Sequence, residues 1–419
     1  MSTGKKLFSF HEDWIVVILG FLIIFVTLSG LVLPVPVLNW NNTTELFSTV
    51  LSAKNIQVIL WQFLFVFVVA GLGTLLSAKP VKSFLTGFPV LYLLTMIALI
   101  LSGSSAVRGL NLEAVIISLT IGLFISNFFT LPAWLKESLS TELYVKIGLV
   151  LLGTSVIFGD ILKAGILGLV QALIVVIAVW YFAFWISKKL KVDDELTFML
   201  SSAVSICGVS AAIATSGAIK GDPKKLSYVI SLVLITAIPM MIGMPYIARA
   251  LGLSQEVTGA WLGGTIDTTG AVVASGTLVG ETALKISTIV KFSQNVLLGI
   301  AAFAIAVYWS YTNHTGVNGE KVKPTLGVIW ERFPKFVLGF IAASLLFSFF
   351  IEPSEIVSVK GSLKNLQGLW FTLAFTSIGL ETKFSDLFKH ENRKPLYAFL
   401  IAQTFNIIIT LIIAYFLFR

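Results

Sequence analysis

Residues 257–280 read VTGAWLGGTIDTTGAVVASGTLVG. The stretch is long enough to cross a bilayer, yet six glycines surround Thr265, Asp267, Thr268 and Thr269. A spanning helix needs about 20 apolar residues, because each adds about 1.5 Å across a core of about 30 Å. Asp267 is the only ionisable residue of the stretch and lies about 15 Å from its start. Ionised there, it would cost about 2.5–3.5 kcal/mol unless it faced a cavity or a partner. Small residues also let membrane helices pack closely, but packing does not require a buried carboxylate. The physical alternative is an interrupted helix, whose freed N–H and C=O groups are acceptable only where they line a polar cavity. Secondary transporters build their sites from such breaks, with N–H ends facing anions and carbonyl ends facing cations.

Two other segments share this character. Residues 197–219, TFMLSSAVSICGVSAAIATSGAI, gather Ser201, Ser202, Ser205, Ser210, Thr215 and Ser216 around Cys207-Gly208. Residues 366–384 break at Thr376-Ser377-Ile378-Gly379-Leu380-Glu381. Lys291 lies six residues into 285–309, within KFSQN and beside Gln294 and Asn295. It can be read as a functional cation or as a lysine that snorkels to the interface. Lys146 reads as a snorkelling lysine, and Arg108, Asp160 and Glu381 as solvated span ends. Residues 396–418, by contrast, read as a plain lipid-facing helix of Leu, Ile, Phe and Ala.

The whole chain fits this setting. It is 57% hydrophobic and only 12% charged, whereas soluble domains carry about 25% charged residues. That composition excludes a soluble enzyme, a disordered chain and a secreted disulfide scaffold. The single cysteine, Cys207, allows no intrachain disulfide and no four-cysteine metal site. Thirteen segments qualify as spans: 14–33, 56–77, 84–102, 113–131, 142–160, 162–187, 197–219, 226–248, 257–280, 285–309, 333–351, 366–384 and 396–418. The expected fold is therefore an all-α polytopic membrane protein of about thirteen transmembrane helices. The Lys and Arg residues behind the net charge of +8 sit between the apolar runs rather than in one patch, so no nucleic-acid partner is expected. Seventeen of them fall on the N-terminal side and ten on the other, which predicts a cytoplasmic N-terminus and a multi-pass protein of the cell (inner, plasma) membrane. The loop Lys220, Lys224 and Lys225 dissents. No loop is long enough for a soluble domain; the largest, 310–332, reads as a polar linker.

An internal echo accompanies these spans. Thr154-Ser155 precedes Asp160-Ile161-Leu162-Lys163, and Thr376-Ser377 precedes Asp386-Leu387-Phe388-Lys389, with intervening lengths that differ by four residues. The copies lie seven spans apart, an odd number, as inverted repeats require.

Enzymatic chemistry finds little support. Gly208-Val209-Ser210 resembles a serine nucleophile motif, but the only histidines, His11, His314 and His390, lie outside every span. An aspartyl protease needs two facing carboxylates, and only Asp267 is deep. A phosphate-binding glycine loop with lysine is absent, as are haem and zinc clusters. The expectation is a protein that is not an enzyme and has no cofactor. A channel stays open as a reading, although scattered polar breaks suit an occluded site better than a repeated pore-lining ring.

Six stretches also carry a resemblance: YVKIGLVLLGTSVIFGDIL (144–162), SICGVSAAIATSGAIKG (205–221), GGTIDTTGAVVASG (263–276), STIVKFSQNVLLGIAAF (287–303), KFVLGFIAASLL (335–346) and LAFTSIGLETKFSDL (373–387). In order and spacing they resemble the YeiH-like sulfate exporter family, whose fold is similar to that of sodium/proton antiporters and bile-acid symporters. The resemblance covers residues 113–419 and implies a transporter domain there, with 1–112 as an N-terminal extension of three spans. It implies inverted repeats in which a core with two crossing broken helices moves against a panel or scaffold domain, and by fold analogy a homodimer. Cys207, Gly208 and Ser210 would belong to one break, Thr265 to Thr269 to the other, and Lys291 would be a membrane-embedded cation. Two departures stand out: Asp267-Thr268 replaces a His-containing polar pair, and Gln294 an arginine. Both make the site less basic.

The resulting expectation is a secondary active transporter of a small anion, sulfate, sulfonate or similar, coupled to Na⁺ or H⁺. Substrate binding is assigned to Cys207, Gly208, Ser210, Lys291, Gln294, Asn295, Thr376 and Ser377. The coupling ion is assigned to Thr265, Asp267, Thr268 and Thr269, with Na⁺ at Asp267 one alternative. Desolvation disfavours a charged carboxylate, which suits a proton carrier, whereas clustered oxygens suit Na⁺. A cation/proton antiporter that moves no anion is the other reading.

Overall fold

A computed structural model describes residues 12–109, 114–311, 326–383 and 393–419. His11, His314 and His390, most of the 310–332 linker and the Asp386–Lys389 half of the echo lie outside the described residues. Every element longer than a few residues is helical: α1 (Glu12–Leu28), α2 (Ala53–Leu76), α3 (Val81–Ser102), α4 (Ala114–Phe128), α5 (Thr141–Gly153), α6 (Phe158–Lys189), α7 (Asp194–Ser202), α8 (Val209–Ile219), α9 (Pro223–Ala250), α10 (Gln255–Thr265), α11 (Thr269–Val279), α12 (Glu281–Tyr311), α13 (Lys335–Phe349), α14 (Pro353–Glu381) and α15 (Lys394–Phe418). Six shorter helical segments, two of them π-turns, connect them, and no strand occurs among the described residues. Each of the thirteen expected segments holds a helix or, at 197–219 and 257–280, a broken pair. The α2, α3, α6, α9, α12 and α15 helices are long and apolar enough to cross a membrane. The protein is an all-α polytopic membrane protein.

Helix boundaries follow local chemistry. Asp193, Asp222 and Ser254 cap α7, α9 and α10 by accepting a backbone N–H in the first turn, which satisfies donors that have no partner within the helix. Pro223 and Pro353 occupy the opening turns of α9 and α14, where a missing N–H costs nothing. The α14 helix starts thirteen residues before the expected apolar run because Lys360 and Lys364 stay exposed on its surface while Val359, Ser362 and Leu363 are buried.

The chain forms two compact units, one of residues 1–158 and 335–383, the other of 159–334 and 384–419. Residues 1–112 share the first unit with 113–158.

In the first unit, α4 packs on α14 and α13 packs on α5. Ser126 Oγ of α4 lies 2.7 Å from the carbonyl oxygen of Thr382, just beyond α14. Ser344 Oγ of α13 lies 2.5 Å from that of Val156, just beyond α5. Each seam is closed by a glycine: a Cβ on Gly379 would run into the Leu119 carbonyl, and one on Gly153 into the Phe340 carbonyl. The two seams are built alike, each closed by one hydroxyl and one glycine.

Lys146 does not snorkel. Its Nζ lies 3.0 Å from Asp13 Oδ1 and 3.5 Å from Glu142 Oε2. The second oxygen of the buried Asp13 accepts the Lys335 backbone N–H at 2.9 Å, so one carboxylate ties α1, α5 and α13 together.

Candidate functional site

The site is built in the second unit, where two helices break. After α7 the chain makes a π-turn over Ala203–Cys207 and reaches Gly208 at φ 61° and ψ −112° before α8 begins. Side chains strain that conformation, and glycine adopts it freely. Space demands glycine as well, since a Cβ at Gly208 would lie 2.7 Å from Val233 Cγ1 and 3.0 Å from Asp267 Cβ. The second break follows α10. Ile266 is extended, Asp267 follows, and Thr268 caps α11 by accepting the Ala271 N–H at 3.3 Å. The two breaks therefore touch, Gly208 against Asp267.

Broken helices leave carbonyls that no water in the bilayer can satisfy. Here side chains meet them one by one. In the first break, Asn406 Nδ2 donates to Val204 O at 3.1 Å and Lys291 Nζ to Ile206 O at 2.9 Å. In the second, Gln294 Nε2 donates to Gly264 O at 2.9 Å, and Asn406 Nδ2 and Gln403 Nε2 each lie 3.2 Å from Thr265 O. One turn earlier, Gln171 Nε2 of α6 donates to Ala260 O at 2.8 Å. The ammonium of Lys291, fully buried, also donates to Gln294 Oε1 at 3.0 Å. Its charge thus rests at the carbonyl end of α7 and its π-turn, where the helix dipole is negative.

The acceptors are treated differently. Among the described residues, both carboxylate oxygens of Asp267 are buried without a hydrogen-bond partner at bonding distance, and so are Thr265 Oγ1, Gln403 Oε1 and Asn295 Oδ1; the Gln403 amide is the neighbour that comes nearest to serving the carboxylate. Asp267 is 1% exposed, and the charges that act on it include Lys291, which in turn feels Cys207. A buried polar group without a partner costs about 1–3 kcal/mol, more if charged. A cluster of bare oxygens around one carboxylate therefore suits a proton or a hard cation.

The expected site residues fall into three groups. Cys207, Gly208, Thr265, Asp267, Lys291, Gln294 and Asn295 are buried at the breaks, with Asn295 Nδ2 3.4 Å from Thr269 Oγ1. Thr268 and Thr269 are half-buried, and Ser210 is exposed on the first turn of α8. Thr376 and Ser377 belong to the first unit, where Thr376 Oγ1 meets Thr95 Oγ1 at 3.0 Å and Ser377 Oγ is buried without a partner. Three further residues escaped the sequence: Gln171, Gln403 and Asn406. The last two lie on α15, so that helix is not a plain lipid anchor. Gln403, Asn406 and Thr410 form a buried polar line, with Thr410 Oγ1 donating to Asn406 Oδ1 at 2.8 Å. Lone amides in an apolar run were the available signal.

Residues 86–398 match a protein family described as "Conserved hypothetical protein 698". A UPF0324 membrane protein of Rhodopirellula baltica is 41% identical over 372 residues, covering 86% of this chain and 68% of its own. The chain belongs to the UPF0324 membrane protein family. Two further family members, both from Nitratidesulfovibrio vulgaris, are 39% and 37% identical over 83% and 90% of this chain. The chain spans 61% and 65% of their lengths. The names of these UPF0324 relatives state a membrane protein and no substrate. No solved structure matches the chain.

Proposed function

We propose that this UPF0324 protein is a secondary active transporter that moves a small anion by alternating access, coupled to H⁺ or Na⁺ at Asp267. One observation carries the reading: two helix breaks meet at Gly208 and Asp267, deep in an apolar helical unit, with a bare carboxylate at the contact. Thr265, Thr268 and Thr269 supply oxygens for the coupling ion beside Asp267. The uncapped N-terminal turn of α8, which begins at Gly208 and carries the exposed Ser210, presents N–H groups to the anion. Sulfate and sulfonates are the anions of choice. The setting is the cell membrane, with the N-terminus cytoplasmic by the distribution of Lys and Arg. No covalent chemistry and no cofactor enter.

A second reading, cation/proton exchange without an anion, draws on a specific observation. Lys291 is already engaged by Ile206 O and Gln294 Oε1, and the bare groups at the break are oxygens, all of them able to accept and only the Thr265 hydroxyl able to donate. Proteoliposomes separate the two. Uptake of labelled sulfate or sulfonate driven by a pH or Na⁺ gradient supports anion transport; Na⁺/H⁺ exchange that ignores every anion tested would sink it.

A further inference from the structure

Ser and Thr inside a helix usually donate to the carbonyl one turn back. Thr277 of α11 does so to Val273 O at 2.8 Å, and Ser293 of α12 to Ile289 O at 3.0 Å. Two hydroxyls of the same helices do not. Ser275 Oγ and Thr288 Oγ1 are fully buried and have no hydrogen-bond partner among the described residues. The α11 and α12 helices pack side by side, and two contacts fix their antiparallel register. Asn295 Nδ2 meets Thr269 Oγ1 at 3.4 Å, and a Cβ at Gly276 would lie 2.6 Å from Ser287 Oγ. In that register Ser275 stands level with Thr288. Two buried hydroxyls at one level of the seam, each lacking a hydrogen-bond partner among the described residues, are more than close packing explains; water is what such groups hold when they are buried.

The pair has a continuation. Seven residues along α12, about 10 Å by helix rise, lies Asn295, whose Oδ1 is also bare. Its Nδ2 meets Thr269, two residues along the chain from Asp267. Lys291 sits on the way and uses two of its three N–H groups on Ile206 O and Gln294 Oε1. At the other end Thr277, Val279 and Gly280 are half-buried and Glu281 is exposed. Of titratable groups, Lys291 and Cys207 face the Asp267 end, and Glu281 and Lys285 stand at the mouth.

We propose that the α11–α12 seam is a proton path: water held by Ser275, Thr288 and Asn295 links the surface at Thr277–Glu281 to Asp267. Each hydroxyl or water accepts a proton on one side and releases one on the other. Only O–H bonds form and break, and one positive charge is delivered to the carboxylate. The path rests on the reading of Asp267 as the coupling group and names the coupling ion as H⁺.

Thiol labelling tests the seam without any substrate. In the full chain with Cys207→Ala, Ser275→Cys, Thr288→Cys and, as a dry control on the fully buried Val273, Val273→Cys are treated with a methanethiosulfonate. Only a thiolate reacts, and each unit of thiol pKa raised by a dry site is tenfold in thiolate. Positions 275 and 288 should label at least about tenfold faster than 273; equal rates overturn the path. Infrared spectroscopy after a pH jump then follows Asp267, through a carboxyl band that Asp267→Asn removes. In Ser275→Ala/Thr288→Val that band should rise at least about a hundredfold more slowly, the lower end of what a positioned proton-transfer group contributes; an unchanged rate overturns the path as well. If the wild type shows no such band, Asp267 does not carry the proton. That outcome defeats the parent reading, and the path with it, whatever the labelling shows.

Discussion

The two units meet the same problem with different chemistry. Both must close carbonyls that helices leave open inside an apolar environment. In the first unit neutral hydroxyls do it: Ser126 serves Thr382 O, Ser344 serves Val156 O, and Gly379 and Gly153 let the backbones come close enough. In the second, amides and an ammonium serve Val204, Ile206, Gly264 and Thr265, while Asp267 is left bare beside them. Hydrogen-bonded small residues hold a shape. A buried cation, a buried carboxylate and paired dipole ends store a charge imbalance that an incoming ion or proton can relieve. On the proposed transport reading, the contrast makes the first unit the frame and the second the part that works.

Replacing Asp267 by Asn tests that contrast most severely. The amide keeps the shape and removes the charge, so ion-coupled flux in proteoliposomes should fall at least about a hundredfold, in the range that follows loss of an essential proton-transfer group. Folding should not suffer, because an ionised group at that depth costs about 2.5–3.5 kcal/mol. Thermal unfolding in detergent should therefore occur at an equal or higher temperature. Coupled flux that survives the substitution removes Asp267 from the mechanism.

Gly208→Ala against Gly153→Ala comes next. Both glycines sit against a neighbour, but only Gly208 also has a positive φ. At Gly153 the cost is overpacking, about 1–3 kcal/mol. At Gly208 about 1–3 kcal/mol of backbone strain is added, and the intruding methyl presses on Asp267. Gly208→Ala should lose more stability than Gly153→Ala and should lose transport even where it folds. Equal losses of both properties in the two variants would show that the crossing has no special geometry.

Much of this was legible beforehand, and the reasons for the remainder are specific. The thirteen segments could be read because charge is so strongly excluded between their ends. Gly208 and Asp267 could be read because glycines beside a deep carboxylate serve no purpose in a lipid anchor. The start of α14 could not, since Lys360 and Lys364 look like loop residues until the helix turns them outward. Gln171, Gln403 and Asn406 could not either: a lone amide in an apolar run says nothing of its rotation about the helix. The partners of Lys291 are backbone carbonyls, which carry no sequence signature. Nor could spacing tell that Thr376 and Ser377 belong to the first unit.

Asn406 gives a smaller effect and a sharper one. Its single amide serves carbonyls of both breaks, Val204 O and Thr265 O. Asn406→Leu keeps the volume and strands Val204 O, while Gln403 still reaches Thr265 O. An unsatisfied buried carbonyl costs about 1–3 kcal/mol, so unfolding in denaturant should show a loss of about that size. The variant should also slow transport, because the breaks lose the group that holds them in register. Lost stability with unimpaired transport would mean that Asn406 merely fills space.

The serine pair of the first unit gives the smallest effect and completes the contrast. Ser126→Ala removes one neutral hydrogen bond, worth about 0.5–1.5 kcal/mol, and Asn127 Nδ2 still lies 3.1 Å from Thr382 O. Ser344→Ala removes the corresponding bond to Val156 O, for which no second donor stands among the described hydrogen bonds. The second substitution should therefore cost more than the first, and their double variant should cost close to the sum, because the two seams share no partner. Neither should change the rate of coupled flux by more than about twofold at a temperature where both variants are folded, the scale of ordinary surface and packing changes within ±0.5 kcal/mol. If Ser126→Ala or Ser344→Ala instead abolishes flux while the fold stands, the first unit takes part in the chemistry and the division of labour between the units is wrong.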